Sequence, residues 1–324
     1  LAFDAGYHGL SYGALAVTGY HGDAFRGPFE QQLAQHVTRG TYGGEIPDLS
    51  TIGTVIVEPI QGRGGIRVPP AGWLRELADQ TRAAGAVLVF DEVYTGFGRT
   101  GDWFAFQDED VRPDLLVLGK GMAGGFPISA CVGTAEAMDA WGASQGEALH
   151  TQTFLGNPVG CAMALACIEE LETIIPTVAD KSRWLVQQLH QRGYRVRGRG
   201  MMLGIELDHA LQRSRALLQA GFIVLPAGEH GEVLGVTPPL TITTEQLTAI
   251  TDDGIRDSSP RFAADGTSLF WVQWFIELPE GAELWEYTEQ FQLVRAPIDD
   301  PDAVEVLKED IGTPWGLAVA WPSL

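Results

Sequence analysis

An amine and two carboxylates stand where three short apolar runs of the sequence end. They are Glu58, Asp91 and Lys120. Continuous apolar runs of this length are typical of strands buried on both faces, as in a parallel sheet covered by helices. Because such sheets bind ligands beyond the carboxyl ends of their strands, we expect the three side chains to converge at one edge. A single charged residue at the end of a strand is more often just the point where the chain becomes exposed to solvent. Three such residues together indicate a reactive site.

Lysine is rare in this chain, and one of the three lysines has unusual surroundings. Lys181 is expected on the polar face of a helix and Lys308 in an acidic tail, which are ordinary solvated positions. Lys120 instead follows a buried strand, between Gly119 and Gly121. Loss of water there would lower the pKa of the amine and make it a nucleophile toward a carbonyl group. A phosphate-binding loop is excluded, because the spaced glycine and the following Ser or Thr of that motif are absent.

A reactive amine beside a carboxylate on the neighbouring strand is the arrangement that pyridoxal 5'-phosphate requires. Lys120 would form a Schiff base with the aldehyde of this cofactor. Asp91 would keep the pyridine nitrogen protonated, so that the ring can accept electrons. Asp91 is the natural candidate because it closes a buried apolar run, where an unpaired carboxylate would be costly. No metal site is expected.

The strands and helices that must position these groups alternate along the first half of the chain. Strands are predicted over residues 51–57, 86–90 and 115–118. A helix over residues 70–84 lies between the first two, with a proline at its start and a glycine just past its end. Strand–helix–strand units of this size form right-handed crossovers, so we predict an α/β fold with a mainly parallel sheet and helices on both faces. The inward face of that helix is predicted to carry Trp73, Leu74, Leu77, Ala78 and Thr81.

Three domains are expected along the chain. Residues 1–165 would form the large domain that carries the site, residues 166–255 a smaller α+β domain, and residues 256–324 a β-rich appendage of unknown role. The appendage contains 13 acidic and 4 basic residues, a local net charge of −9. The elements predicted beyond residue 158 are helices over 160–173, 178–192 and 209–220 and strands over 201–207, 222–225, 269–276 and 284–294.

Composition excludes several classes of function. The 324 residues include 42 Asp and Glu against 21 Lys and Arg, a net charge of −21 that repels nucleic acids and anionic lipid surfaces. No apolar run reaches the roughly 18 residues of a membrane-spanning helix. The three cysteines, Cys131, Cys161 and Cys167, are an odd number with no CxxC pair. We expect them to be reduced thiols buried in the core of a cytoplasmic protein.

Six segments of the sequence together form a family signature. They are YHG at 7–9, EPIQG at 58–62, DEVYTGFGRTG at 91–101, GKGMAGGFP at 119–127, TQTFLGNP at 151–158 and RGRGMMLGIE at 197–206. In order and spacing these segments resemble the class III (omega-amino) aminotransferases of pyridoxal-phosphate fold type I. The resemblance runs through about residues 1–250 and is specific, because six separate motifs agree.

The resemblance implies roles for the residues around the cofactor ring. Lys120 would hold the cofactor aldehyde and then move a proton between substrate and cofactor carbons. Asp91 would pair with the pyridine nitrogen. Tyr7 would stack on one face of the ring with His8 beside it, and Val93 would pack under the other face. Without the resemblance, an exposed Tyr-His pair would more often be a surface turn.

Further implied roles concern the ring hydroxyl and the phosphate. Glu58 and Gln61 would hold the region of the ring hydroxyl and gate the substrate. Thr153 would donate to the cofactor phosphate of the neighbouring subunit in a homodimer, although without the resemblance it would be a turn residue. The complete set of expected cofactor-binding residues is Tyr7, His8, Glu58, Gln61, Asp91, Val93, Tyr94, Lys120 and Thr153.

Two departures from the family pattern change the expectations. The family has a segment upstream of Tyr7, with a Gly-Ser or Gly-Thr turn that cups the phosphate at a helix N-terminus. The sequence lacks this N-terminal portion, so we expect weak cofactor binding. Gly235 stands where members often carry an arginine for a substrate carboxylate, which weakens an acetylornithine-type or ornithine-type assignment. Arg199 or an upstream residue could substitute for that arginine.

Three hypotheses about function remain open at this point. The leading one is an aminotransferase that moves an amino group from an amine or amino acid to an oxo acid. An aminomutase or racemase on the same scaffold is the alternative within pyridoxal chemistry. A catalytically impaired remnant that acts as an interaction module is the alternative from another class. Amino donors tested against an oxo acid separate the first from the second, and a cofactor band that borohydride abolishes separates both from the third.

Overall fold

The computed structural model describes residues 1–140, 142, 146, 153–219 and 222–251, and beyond them the backbone of four strands. The chain forms two compact units. The first comprises Leu1–Ala216 and Val224–Asp253, and the second comprises Leu217–Ile223 and Gly254–Leu324. Within the described part of the chain, no helix has both the length and the apolar character needed to cross a membrane.

The first unit begins with short elements that flank its main sheet. They are β1 (Ala2–Phe3), α1 (Tyr12–Val17), α2 (Asp23–Arg26) and β2 (Arg39–Gly40). Strands β1 and β2 pair in parallel. The start of the chain is also hydrogen bonded toward the main sheet, since the Leu1 carbonyl accepts from the Ile56 N–H at 3.0 Å.

A four-stranded sheet forms the centre of the first unit. Its elements in chain order are β3 (Thr54–Val57), α3 (Trp73–Ala83), β4 (Val87–Asp91), β5 (Leu115–Leu118) and β6 (Ala130–Gly133). The strands lie in the order β3-β4-β5-β6. The first three are parallel and β6 runs antiparallel to β5. The predicted mainly parallel α/β sheet is therefore confirmed.

Helix α3 covers one face of this sheet, as its sequence pattern predicts. Its buried residues are the five predicted ones: Trp73, Leu74, Leu77, Ala78 and Thr81. All but Thr81 pack into a cluster that includes the sheet residues Val55, Val57, Leu88 and Phe90. Gly85 follows the helix with a φ of 69°, a left-handed conformation that ends helices at little cost only for glycine.

Helix α4 (Ala135–Asp139) is followed after a gap by α5 (Pro158–Gln191), a single helix of 34 residues. The expectation of two helices over 160–173 and 178–192 is wrong. Pro176 lies between the two predicted helices and lacks the N–H of the helical ladder, but the helix does not end there. The buried stripe nevertheless continues past it, so packing holds one helix together. The stripe consists of Gly160, Ala164, Leu171, Ile175, Val178, Leu185 and Leu189.

A smaller antiparallel sheet completes the first unit. The sheet and its helices comprise β7 (Arg195–Arg199), β8 (Met202–Glu206), α6 (Ala210–Gln219), β9 (Leu225–Ala227), β10 (Val233–Val236) and α7 (Thr244–Thr251). The last three residues of α6 belong to the second unit. The strands lie in the order β7-β8-β10-β9. The predicted strand over 201–207 and helix over 209–220 correspond to β8 and α6. The sequence did not predict β7, whose alternating arginines form no apolar run.

The described strands of the second unit form an antiparallel sheet. They are β11 (Arg261–Phe262), β12 (Ser268–Glu277), β13 (Thr288–Pro297) and β14 (Glu305–Lys308), in that order. Strands β12 and β13 pair over ten residues each and match the aromatic runs predicted over 269–276 and 284–294. Positions 284–287 and most of the remaining appendage lie outside the described residues. The domain boundaries after residues 165 and 255 stay predictions.

The cysteines are not core residues, and that expectation is wrong. Cys131 and Cys161 are exposed, Cys167 is half-buried, and all three are free. Cys131 lies on β6, at the edge of the described sheet. Cys161 lies on α5 away from the buried stripe. An apolar sequence context predicted burial, but it did not reveal that these faces have no covering element within the described chain.

Candidate active site

The carboxyl ends of the three parallel strands bring Glu58, Asp91 and Lys120 to one edge of the sheet. Val57 is in register with Phe90, so Glu58 and Asp91 follow at adjacent positions on β3 and β4. Asp91 is in turn in register with Val117 on β5. Lys120 comes three residues after Val117. The convergence predicted from the three strand ends is therefore present.

Lys120 sits in a strained turn with its amine over an aromatic ring. Its φ is 41°, in the left-handed region, which costs a non-glycine residue about 1–3 kcal/mol. The Nζ atom lies 4.0 Å from the centroid of the Tyr94 ring. Behind the turn, the Cys167 thiol on α5 donates to the Gly121 carbonyl at 3.3 Å. Helix α5 therefore supports the backbone that carries the lysine.

The pKa of the Lys120 amine is lowered from its usual value. Loss of water around the amine is the main cause, and the nearby Arg63 guanidinium lowers the pKa further. The Glu58 and Asp91 carboxylates act in the opposite direction. Part of the Lys120 side chain is exposed at the open edge of the sheet. The direction agrees with the desolvation predicted for a lysine at a buried strand end.

The Asp91 carboxylate is held by two donors. His8 Nδ1 donates to Asp91 Oδ2 at 2.8 Å, and the Val93 N–H donates to Oδ1 at 3.1 Å. Both side chains of the His8–Asp91 pair are almost fully buried. The His8 N–H donates to the hydroxyl of Thr18 at 3.0 Å, and that hydroxyl donates to the Gly9 carbonyl. Thr18, which the sequence analysis missed, thus fixes the backbone that presents His8.

Glu58 is a buried carboxyl group with an exposed fraction of 5%. The Tyr7 N–H donates to Oε1 at 2.8 Å and the Gly62 N–H donates to Oε2 at 3.0 Å. Burial raises the pKa of Glu58 to about 7; the charge of His8 lowers this pKa and that of Asp91 raises it. Glu58 therefore exchanges a proton near neutral pH.

Aromatic rings and glycines shape the space around the lysine. Tyr7 is half-buried, and its ring packs edge to face with Tyr20 at 6.0 Å between centroids. The Tyr94 ring lies against Gly62 so closely that a Cβ on this glycine would overlap the ring. Val93 lies in van der Waals reach of a side chain built on Gly119, beside Lys120. The predicted residues Tyr7, Val93 and Tyr94 are thus near the charged edge.

Two predicted site residues have other surroundings. Gln61 is buried, and its amide donates to the Asp4 carbonyl at 2.6 Å and accepts from Arg67 at 3.1 Å. Thr153 is exposed in the turn that precedes α5, and the structure does not bring it into the cluster around Lys120. Its expected action in a neighbouring subunit stays a prediction.

A third buried carboxylate, Glu92, organises the loop that follows Asp91. It accepts hydrogen bonds from the Thr95 hydroxyl and from the N–H groups of Ala105 and Phe106. Burial raises the pKa of Glu92, while these donors lower it. These three hydrogen bonds to one buried carboxylate hold the loop after Asp91 close to the end of β4. The only sequence signal for this role was a charged residue directly after a buried run.

The other positions considered as cations or as carboxylate-binding groups have their own surroundings in the structure. Lys181 is not simply solvated, because its Nζ donates to the Leu240 carbonyl at 2.8 Å. Gly235 lies within β10 and has no side chain to bind a carboxylate. Arg199, the suggested substitute, pairs with Asp108. Arg63 was not singled out from the sequence, although it is the one charged residue in the run Gly62-Arg63-Gly64-Gly65.

The residues at this edge fit pyridoxal phosphate. An amine of lowered pKa stands next to a carboxylate that two protein donors hold in place. The half-buried Tyr7 ring and the Val93 side chain provide apolar surfaces for a planar heterocycle. The glycines directly before and after Lys120 have no side chains, so a ligand can approach the backbone closely there. Among the described residues, no group of three or more His, Cys, Asp or Glu side chains is arranged to bind a metal ion.

Solved structures with the same architecture are pyridoxal-phosphate enzymes of fold type I. The chain superposes on ornithine aminotransferase from Toxoplasma gondii with a TM-score of 0.68 and 27% identity, covering 78% of this chain and 62% of that one. An (S)-enantioselective omega-transaminase from Thermomicrobium roseum gives a TM-score of 0.69 and 28% identity, with 78% and 66% covered. The fold predicted from the sequence is confirmed.

A family model described as aminotransferase class-III matches residues 1–255, and the chain belongs to this family. It is 36% identical to the acetylornithine aminotransferase of Methanopyrus kandleri over 256 residues, which is 76% of this chain and 64% of that protein. It is 38% identical to the acetylornithine aminotransferase of Mycobacterium leprae over 274 residues, 80% of this chain and 65% of that one. The chain thus spans less than two thirds of the length of these relatives. Pyridoxal 5'-phosphate is the cofactor of the family, as the sequence predicted.

Proposed function

We propose that the chain acts as a pyridoxal-phosphate-dependent aminotransferase that moves an amino group from an amine or amino acid to an oxo acid. The observation that carries the proposal is the convergence of the Lys120 amine with the His8–Asp91 pair at one sheet edge. Membership of the class-III family and similarity to two acetylornithine aminotransferases support it.

When bound, pyridoxal phosphate supplies an aldehyde that condenses with an amine and a pyridinium ring that withdraws electrons from the adjoining carbon. Asp91 would hold a proton on the ring nitrogen, because a buried carboxylate favours the cationic form of a base beside it. His8 would keep Asp91 oriented through its 2.8 Å contact. Tyr7 and Val93 would confine the ring between them.

Lys120 would be the group that moves protons in the reaction. Its lowered pKa increases the fraction of neutral amine, which can take a proton from the substrate carbon that bears the nitrogen. The positive φ and the support of α5 hold the amine over the Tyr94 ring. Glu58 would adjust the charge of the same edge, since a carboxyl with a pKa of about 7 can accept a proton near neutral pH.

A homodimer is the assembly that the surface supports. Large apolar side chains are exposed where α5 begins: Phe154 is 81% exposed and Leu165 is 64% exposed. Exposed apolar groups of this size are typical of an interface between subunits. Thr153 lies next to this surface, so a second copy could receive its hydroxyl. The three free cysteines support the reducing environment of the cytoplasm as the location.

The proposed function is tested by reduction trapping and by amino transfer. Borohydride added to the cofactor-loaded protein should fix a pyridoxyl group on Lys120, located by peptide mapping, and Lys120→Ala should remove it. Lys181→Ala is the control, because Lys181 is the other lysine of the first unit and holds the Leu240 carbonyl instead. N-acetylornithine, ornithine and a simple amine then serve as donors with 2-oxoglutarate, and glutamate is measured. Label on Lys181, or no glutamate from any donor, would contradict the proposal.

A further inference from the structure

Arg63 is a cation beside the candidate site whose position is set by two aromatic rings. Its guanidinium carbon lies 5.0 Å from the centroid of the Tyr7 ring and 5.2 Å from that of the Tyr20 ring. A guanidinium over an aromatic face is attracted by the ring quadrupole while its N–H groups remain free to donate. The side chain is exposed, so those donors face open space.

The backbone at Arg63 is fixed as well as its side chain. The Arg63 carbonyl accepts from the Gly228 N–H at 2.8 Å. The preceding residue, Gly62, donates to the buried Glu58 carboxyl. The main chain of Arg63 is held on both sides, and its side chain packs against two rings. The cation is therefore positioned before any ligand binds.

Arg63 differs from the arginines around it in having no acidic partner among the described residues. The neighbouring arginines are each paired with a carboxylate: Arg67 with Asp4, Arg197 with Glu206 and Arg199 with Asp108. The charge of Arg63 is therefore not neutralised by the described protein. It acts instead on the Lys120 amine, whose pKa it helps to lower.

We propose that Arg63 binds the carboxylate of the substrate, so that the amino donor is a carboxylate-bearing amine rather than a simple alkylamine. The proposal rests on the proposed aminotransferase function and specifies its substrate class. A guanidinium binds a carboxylate through two parallel N–H···O bonds, which fixes orientation as well as position. A donor held in this way over Tyr7 would direct its amine toward Lys120 and leave the carboxylate at the outer rim of the site.

Binding of an unreactive carboxylate tests Arg63 without any turnover. Pentanoate should bind the cofactor-loaded protein in calorimetric titration, whereas pentanamide, its neutral analogue, should not. Arg63→Gln should weaken pentanoate binding about 10- to 100-fold, the loss expected for charge-assisted hydrogen bonds. Arg63→Lys should retain part of the affinity, because it keeps the charge but not the fork of donors. Arg195→Gln, which removes another exposed arginine, on β7, should change nothing.

A matched pair of donors tests the consequence for specificity. L-ornithine and putrescine differ only by a carboxylate, and the wild-type protein should favour ornithine in kcat/KM by about 10- to 100-fold. Arg63→Gln should abolish that preference, so that the ratio of the two kcat/KM values falls to about one. Equal pentanoate affinity in the wild type and Arg63→Gln, no pentanoate binding to the wild type, or an ornithine preference that survives the substitution would overturn the inference. If no donor reacts, the proposed function fails, while the pentanoate titration still decides whether Arg63 binds a carboxylate.

Discussion

Asp91 is the residue whose surroundings do most to define the chemistry of the site. Its two oxygens accept from the His8 ring and from the Val93 N–H, so the carboxylate cannot rotate freely. Such a group can hold a proton on a heterocyclic nitrogen, but only if it is charged. A side chain of the same shape but without the charge should therefore still allow the cofactor to bind, but the reaction should fail.

Asp91→Asn is accordingly expected to keep the cofactor and slow amino transfer by orders of magnitude. The amide preserves the size of the side chain but cannot stabilise a protonated ring nitrogen. Single-turnover absorbance after mixing with a donor measures the rate, and the spectrum before mixing shows whether cofactor is bound. A near-normal rate in this variant would remove Asp91 from the proposed role.

Glu58 should make stability depend on pH in a definite direction. Its pKa in the folded protein is about 7, above the 4.5 of an unperturbed glutamate. A raised pKa means that the folded state holds the proton more tightly than the unfolded state. The stabilisation is complete below the unfolded pKa and is lost as the pH rises through 7. Between about pH 5.5 and pH 8, the free energy of unfolding should therefore fall by on the order of 2 kcal/mol because of Glu58.

Glu58→Gln should remove this dependence, because the amide resembles the protonated acid at every pH. Urea unfolding at the two pH values gives the free energy of unfolding of each protein. The difference between wild type and variant should shift by on the order of 2 kcal/mol in favour of the variant at the higher pH. Glu76→Gln on the exposed face of α3 is the matched control and should show no such shift. Parallel curves for wild type and Glu58→Gln would refute the assignment.

The residues that sequence could identify were those whose type conflicts with their position. A lysine and an aspartate at the ends of buried runs are costly, so each called for a reason. Thr18 and Glu92 act through hydrogen bonds to backbone groups that are distant in sequence, and no pattern of types reveals such partners. Arg63 is similar, because only the folded chain brings it over Tyr7 and Tyr20.

At the scale of elements, α5 links the lysine turn to the small sheet. Its first half supports Gly121 through Cys167, and its second half bonds the Gly200 carbonyl through Ser182. Between these points, Ile175 lies against the loop that follows Asp91. Gly98 is at this contact, with a φ of 82°. A Cβ there would approach Ile175 to 2.5 Å.

Gly98→Ala should destabilise the protein both by backbone strain and by overlap with α5. Gly101→Ala provides the control for strain alone, because Gly101 also has a positive φ but has open space where the Cβ would lie. Gly98→Ala should cost about 1–3 kcal/mol more than Gly101→Ala, the usual penalty of forcing a group into a packed contact. Thermal or urea unfolding of the two variants provides the comparison. Equal losses would show that α5 moves away without cost.

The elements that the sequence predicted well are those in which the apolar residues follow one clear pattern. Helix α3 shows a regular apolar face and ends at a glycine, and β4 and β5 are continuous apolar runs. Helix α5 was predicted as two helices because residues 160–173 are apolar on most faces and residues 178–192 are amphipathic, whereas one buried stripe runs through both. Strand β7 was missed because its arginines bond to groups of other elements, so its sequence does not look buried.

At the scale of the whole molecule, the chemistry and the acidic β-rich unit are separate along the sequence. The predicted site residues all precede residue 154, and the family match ends at 255. The second unit comprises Leu217–Ile223 and Gly254–Leu324, and its four described strands form an antiparallel sheet. Its function is not defined by the family.

Deleting residues 256–324 should leave cofactor binding unchanged. No predicted site residue is removed, and the four-stranded main sheet keeps all its strands. Absorbance titration with pyridoxal phosphate measures the dissociation constant for the shortened and the 324-residue chains side by side. Loss of binding in a shortened chain that retains its circular dichroism would show that the appendage contributes to the site.

Cys161 offers a chemical measure of self-association. It lies exposed on α5, between the exposed residues Val159 and Leu165, on the apolar surface that we propose contacts a second copy. Association through that surface would shield the thiol, so the rate of its alkylation by a maleimide should fall as protein concentration rises. Cys167, which already donates to the Gly121 carbonyl, should react slowly at every concentration. A native thiol can thus report the monomer–dimer equilibrium through labelling kinetics, without any dye or tag attached in advance.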